Sequence, residues 1–187
     1  MLYTEIIGSI TLFVIMTERV SKQNGGRIME KVFEDGVVIR PFRMEDEGIV
    51  REFFSQLGPE TRALFDRNNY NSNVALSWFG LERKEHFSYF LAEKDGLMVG
   101  YVYIWEDDTT IPNIGVCVRE EWKGKHLGRR LIAFVEEYTR ALGCGGMILT
   151  TGFGNVRGWG LYSRMGFEYM GSATDGEALF LKKYKLQ

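Results

Sequence analysis

Residues 86–106, HFSYFLAEKDGLMVGYVYIWE, constrain the fold more than any other stretch of the chain. Their apolar and polar side chains alternate on both sides of Lys94-Asp95-Gly96, and a turn dipeptide between two alternating runs is a β-hairpin signal. Strands are predicted over 87–93 and 97–105. EDDTT then makes a turn, and IPNIGVCV, residues 111–118, reads as a further, buried strand. After it the period changes. Leu127, Leu131, Phe134, Val135, Tyr138 and Leu142 fall on one helical face, with Arg129, Arg130, Glu136, Glu137 and Arg140 on the other. This long amphipathic helix ends at Gly143, a suitable C-terminal breaker.

The flanking segments extend the pattern. VVIRPF is a short strand, and Glu45, Asp46 and Glu47 sit where acidic side chains favour a helix N-terminus. That helix carries Ile49, Val50, Phe53, Phe54 and Leu57 at helical spacing. A second helix is predicted through ETRALFDR after Pro59, and the polar segment 68–73 reads as a loop, with Trp78 and Phe79 beyond it as core aromatics or, alternatively, as pocket-lining ones. Downstream, GMILTT is a strand, VRGWGLYSRM a short helix, and FEYMG and ALFLKKY a closing strand pair. From Val37 the predicted order is β-α-α-β-β-β-α-β-α-β-β.

With 187 residues, 45% of them hydrophobic, such a chain buries a substantial core in one domain. A formal charge of −2 supplies no global positive field for nucleic acid. The apolar run at residues 6–16 is too short to span a bilayer and has no preceding Lys or Arg, so no membrane partner is expected. Residues 1–28 read as a loosely attached or over-long N-terminal extension; the rival reading is an added strand or a homodimer contact. Cys117 and Cys144 have no metal-ligand or CxxC spacing, which suits a reduced, cytoplasmic protein without a metal.

The junction REEWKGKHLGRRL, residues 119–131, joins a strand to a helix whose first N–H groups lack intrahelical acceptors. Gly124 and Gly128 let a ligand approach the backbone, and Lys123, Lys125, Arg129 and Arg130 add positive charge, so the junction suits a diphosphate. The P-loop pattern GxxxxGK[ST] is absent. Downstream, Asn155 is a good N-cap, but Gly158 and Gly160 each cost a helix about 1 kcal/mol relative to alanine. Close approach of another backbone or a ligand would offset that cost. Tyr162 then presents a hydroxyl, either packed in the core or free to act.

Taken together, these residues resemble the GCN5-related N-acetyltransferase (GNAT) family over about residues 37–184. Lys123-Gly124-Lys125-His126-Leu127-Gly128 is similar to the family's acetyl-CoA motif Gln/Arg-x-x-Gly-x-Gly/Ala. Asn155-x-x-Gly158-x-x-Leu161-Tyr162-x-x-x-Gly166-Phe167 is similar to its second signature, about 30 residues on. The resemblance implies an α/β (α+β) fold: one domain over 29–187, with a mixed, mostly antiparallel sheet of about six to seven strands flanked by about four helices. It implies acetyl-CoA as acyl donor, held by the backbone of Val116, Cys117 and Val118, by the junction from Lys123 to Arg129, and by Asn155. Tyr162 is the implied acid for the departing thiolate. His126 stands where the family has glycine. It is read as a tolerated substitution, on the expectation that position 126 already has helical dihedrals.

Transfer to an amine requires loss of its proton, oxyanion stabilisation and departure of the thiolate. By resemblance, a backbone N–H near residues 116–118 is the oxyanion donor. Residues 111–118 offer no base, and Glu106, Asp107 and Asp108 read as a solvated turn or as an attractor for a cationic acceptor. Small amines, peptide N-termini and lysine side chains all remain open as acceptors. The alternative is a non-catalytic acyl-CoA-binding or sensing domain.

Overall fold

A computed structural model describes residues 18–23, 26–66, 69–80, 86–105 and 107–185. The apolar run at 6–16 and Glu106 lie outside these residues. The described elements are β1 (Glu18–Gln23), β2 (Gly26–Val32), β3 (Val38–Pro41), α1 (Glu47–Ser55), α2 (Pro59–Phe65), α3 (Tyr70–Ser77), β4 (Phe87–Lys94), β5 (Leu97–Trp105), β6 (Asn113–Val118), α4 (Leu127–Ala141), β7 (Gly146–Thr151), α5 (Val156–Arg164), β8 (Glu168–Ser172) and β9 (Ala178–Lys183). The strands form one sheet in the order β1-β2-β3-β4-β5-β6-β7-β9-β8. Every neighbouring pair is antiparallel except β6 and β7, which are parallel.

The sheet has nine strands rather than six or seven, because β1 and β2 pair with each other and β2 pairs with β3. The expected boundary between residues 28 and 29 therefore falls inside β2. Met29 and Phe33 pack against the core on the α4 side, which ties the end of β2 to the domain.

The predicted hairpin forms with a two-residue turn, Asp95 (φ 52°) and Gly96 (φ 79°). Positive φ at both central residues matches the right-handed twist of the flanking strands. Alternation along β4 and β5 separates two cores. Phe90, Ala92, Val102 and Ile104 meet Leu127, Leu131, Phe134 and Val135 of α4 on one face. Tyr89, Leu91 and Tyr101 meet Val50, Phe53 and Phe54 of α1 on the other. At Gly100 a Cβ would lie 2.9 Å from Leu131 Cδ1, so the missing side chain seats α4 on β5.

A fifth helix, α3, replaces much of the loop predicted at 68–73. Its sequence, YNSNVALS, lacks a clear apolar stripe, and a buried neighbour supplies what propensity does not. Asp66 is fully buried, accepts the Ser72 N–H at 2.8 Å and pairs with Arg62 at 3.3 Å. A carboxylate at this first turn satisfies an orphan donor and complements the helix dipole.

Candidate active site

β6 pairs with β5 along its whole length, from Trp105↔Asn113 to Gly100↔Val118. With β7 it pairs at Asn113↔Ile148 alone, after which the strands part. Among the described residues, the edge of β6 beyond Asn113 has no sheet partner on that side, so its backbone polar groups are available to a ligand. A cavity of about 800 Å³ opens there, lined by β6, α2, the N-terminus of α4 and α5.

Val116, Cys117, Val118, Lys123, Gly124, His126, Leu127, Gly128, Arg129, Asn155 and Tyr162 all line this cavity. Lys125 does not; its ammonium lies over the Trp122 ring, 5.1 Å from the centroid. Arg130 is engaged elsewhere, with Asp35 at 2.6 Å. The first intrahelical bond of α4 runs from Arg130 N to His126 O at 3.1 Å, so the N–H groups of Leu127, Gly128 and Arg129 precede the helix's own acceptors. Gly128 fits because a Cβ there would stand 3.1 Å from Leu161 Cδ2, drawing α4 and α5 together.

His126 departs from expectation. Its dihedrals are φ 62° and ψ 7°, left-handed, and it is the N-cap of α4 rather than its first helical residue. Position 126 therefore favours glycine on backbone grounds, and an L-residue there costs about 1–2 kcal/mol. Histidine is among the side chains enriched in this region. The ring is exposed, so the strain is local and the backbone geometry of the cradle is kept.

On α5, Asn155 is the N-cap, with Oδ1 accepting the Gly158 N–H at 3.0 Å and Nδ2 donating to Thr151 Oγ1 at 2.9 Å. A Cβ at Gly158 would collide with that same amide. The glycine thus makes room for the helix's own cap, not for another backbone. At Gly160 the nearest group is the Arg164 guanidinium, 3.2 Å from a Cβ position.

Tyr162 is only 6% exposed and sits between Phe167 and Phe180, at centroid distances of 6.0 and 5.7 Å. Burial pushes its hydroxyl well above the ordinary tyrosine value, and the nearby Cys117 adds to the rise; a hydrogen bond with Thr151 opposes part of it. The phenol is therefore protonated throughout the neutral range. Cys117 is pushed up in the same way, by burial first and then by Glu120, and is a neutral thiol.

Sequence reading missed the cavity's other walls. Thr61, Leu64 and Phe65 come from α2, and Arg157 and Arg164 from α5. Lys123 Nζ donates to Thr61 Oγ1 and lies 3.7 Å from Glu120, which also accepts the Gly58 N–H at 3.0 Å. Burial raises the Glu120 carboxyl, but the bonds from Thr61 and Gly58 and the Lys123 charge outweigh it, so the net shift is downward. Four cationic side chains, Lys123, Arg129, Arg157 and Arg164, are among those that line the cavity. Asp107 and Asp108 are held locally, by Ser88 Oγ at 2.6 Å and His86 Nδ1 at 3.2 Å. Their turn lies at the Trp105–Asn113 end of the β5–β6 pair, away from Val118.

No curated protein is a significant match to this chain. Among solved structures, the PaiA N-acetyltransferase from Thermoplasma acidophilum in complex with coenzyme A superposes with a TM-score of 0.62 at 17% identity, over 80% of this chain and 99% of that one. The ribosomal-protein-S5-alanine acetyltransferase from Vibrio fischeri gives 0.69 at 15% identity, over 82% and 96%. The GNAT domain of S. lividans PAT gives 0.68 at 13% identity, over 84% and 97%. At these identities the likeness is one of fold. The sequence itself is matched over residues 49–167 by the model of the Acetyltransferase (GNAT) family. That match runs from α1 through the parted strands and all three helices that line the cavity, and on it the chain belongs to the GNAT acetyltransferase family.

Proposed function

We propose that this protein transfers an acetyl group from acetyl-CoA to a primary amine. The observation that carries the reading is the convergence, in one cavity lined by four cationic side chains, of a β6 edge that β7 leaves, an open helix N-terminus and a buried phenol. The N–H groups of residues 127–129, with Arg129 and Arg157, suit the diphosphate of the donor. The edge from Val116 to Val118 suits the amide-bearing arm, and one of its N–H groups suits the oxyanion. Tyr162, a buried phenol in the lining together with Cys117, suits the departing sulfur.

In the transfer, the amine nitrogen bonds to the thioester carbon, the C–S bond breaks, and the nitrogen gives up a proton. Tyr162 offers its O–H to the departing sulfur. A thiol of ordinary pKa, about 8.5, is a stronger acid than this phenol. Tyr162 therefore stabilises the thiolate chiefly as a hydrogen-bond donor, and the sulfur gains its proton as the amine's is released.

Titration calorimetry with acetyl-CoA tests the cradle. One donor should bind per chain, and Arg129→Glu should weaken binding about tenfold or more, because it sets a carboxylate against phosphate at a helix N-terminus. Lys125→Glu should weaken it less, and His126→Gly should bind as well as the parent while melting higher. Equal losses for Lys125→Glu and Arg129→Glu would misplace the diphosphate.

A further inference from the structure

Three cavity-lining side chains of α2, Thr61, Leu64 and Phe65, share one helical face at i, i+3, i+4 spacing. The helix is pinned at both ends. At its start, Glu120 Oε1 accepts the Gly58 N–H at 3.0 Å and Lys123 Nζ donates to Thr61 Oγ1, which ties the helix to the strand-to-helix junction. A Cβ at Gly58 would stand 2.5 Å from that carboxylate oxygen, so the missing side chain admits it. At its end, the Phe65 carbonyl accepts from Asn71 Nδ2 and Asp66 accepts the Ser72 N–H at 2.8 Å, which ties the helix to α3. Between these pins, Leu64 and Phe65 reach both sides of the gap left where β6 and β7 part. Leu64 Cδ2 lies 3.9 Å from the Cβ position of Gly152, the residue after β7. The Phe65 ring stands edge-on to Tyr101 and Tyr103, at 5.9 and 6.4 Å, and these are the β5 partners of Cys117 and Gly115 on β6.

We propose that Leu64 and Phe65 form the end wall of the acyl site and set the length of acyl chain that the protein accepts. The proposal rests on the acetyltransferase reading and deepens it on the donor's side. On that reading the thioester lies in the gap with its oxygen at the β6 edge, and this apolar pair closes the gap around the acyl carbons. A wall that yielded would admit chains of many lengths. This one is held through Glu120 and Lys123 at one end and through Asn71 and Asp66 at the other, and Tyr101, behind the Phe65 ring, is itself buried. Close-packed interiors do not swell to fit an added methylene. One methylene more or less in an apolar pocket changes discrimination by about 10- to 200-fold. Acetyl therefore fits, and longer chains are disfavoured as they lengthen.

The test is calorimetric titration of the full chain with CoA, acetyl-CoA and butyryl-CoA. The quantity read is the ratio of butyryl-CoA to acetyl-CoA affinity, which a loss of stability alone does not move. Butyryl-CoA should bind at least about tenfold more weakly than acetyl-CoA. Phe65→Leu and Leu64→Ala each shrink the wall and should bring the two affinities within about threefold of each other. Leu64 is half-buried, so Leu64→Ala keeps the test open if Phe65→Leu melts below the assay temperature. A ratio that moves toward one in either variant supports the wall. Butyryl-CoA bound as tightly as acetyl-CoA by the parent chain, or a ratio unmoved in every variant that folds, would overturn the proposal. Failure to hold CoA itself would overturn the acetyltransferase reading beneath it.

Discussion

Tyr162→Phe lowers kcat about a hundredfold and leaves acetyl-CoA affinity nearly unchanged. The substitution keeps the ring between Phe167 and Phe180 and removes only the hydroxyl. An acid or donor acting on a leaving group contributes on the order of 10²- to 10⁴-fold, and two features place Tyr162 at the lower end. A thiolate leaves without much help, and burial has made this phenol a reluctant acid. Because the hydroxyl stays protonated well past neutrality, the rate should not fall through loss of the Tyr162 proton below about pH 10, the ordinary tyrosine value. A purely packed tyrosine behaves differently: its Phe variant melts at another temperature but turns over normally per folded molecule. Single-turnover kinetics and a thermal melt on one preparation separate the two.

Arg40→Met destabilises the protein by about 3–5 kcal/mol, the usual result of stranding a buried charge. Arg40 and Asp46 are 6% and 3% exposed. The guanidinium donates to both Asp46 oxygens, at 2.7 and 2.8 Å, and to Glu93 Oε2 at 2.7 Å. Asp46 in turn accepts the Arg43 N–H at 2.6 Å, so one fork joins β3, β4 and the start of α1. For a domain of this size the melting temperature should fall by roughly 10 °C. Arg40→Lys should recover little, because an ammonium lacks the planar fork. Removing Asp46 in the same chain should recover part, since the stranded carboxylate is then gone. Turnover per folded molecule should be unchanged, as neither residue lines the cavity.

The sequence was most legible where period and turn chemistry agree. The Asp95-Gly96 hairpin, β6, α4, β7 and α5 follow from alternation, helical spacing and Gly143. α3 was hidden because its support is Asp66, a residue outside the helix whose burial no local pattern announces. The β1–β2 pair was hidden by its polar composition, although Asn24-Gly25 between the two segments is a hairpin dipeptide. Within the cavity, motif spacing located the α4 and α5 residues but not their conformations: His126 holds a glycine's dihedrals, and Gly158 serves Asn155. Arg157 and Arg164, with Leu161 between them, share the i, i+4, i+7 face of α5 and were within reach of the same periodicity. Thr61, Leu64 and Phe65 carry no such mark, since α2 reaches the cavity only through the tertiary packing of a distant segment.

The central claim is a chemical one, that a nitrogen displaces the thiol of acetyl-CoA in this cavity, and free thiol is its direct product. The purified chain should be mixed with acetyl-CoA and a series of primary amines while released thiol is followed with a disulfide chromophore. Thiol should appear at a rate that depends on both the donor and the amine, with an equal yield of N-acetylated product by mass spectrometry, and Tyr162→Phe should slow it. Tight acetyl-CoA binding without amine-dependent thiol release across the series would contradict the enzyme reading and leave an acyl-CoA-binding domain in its place.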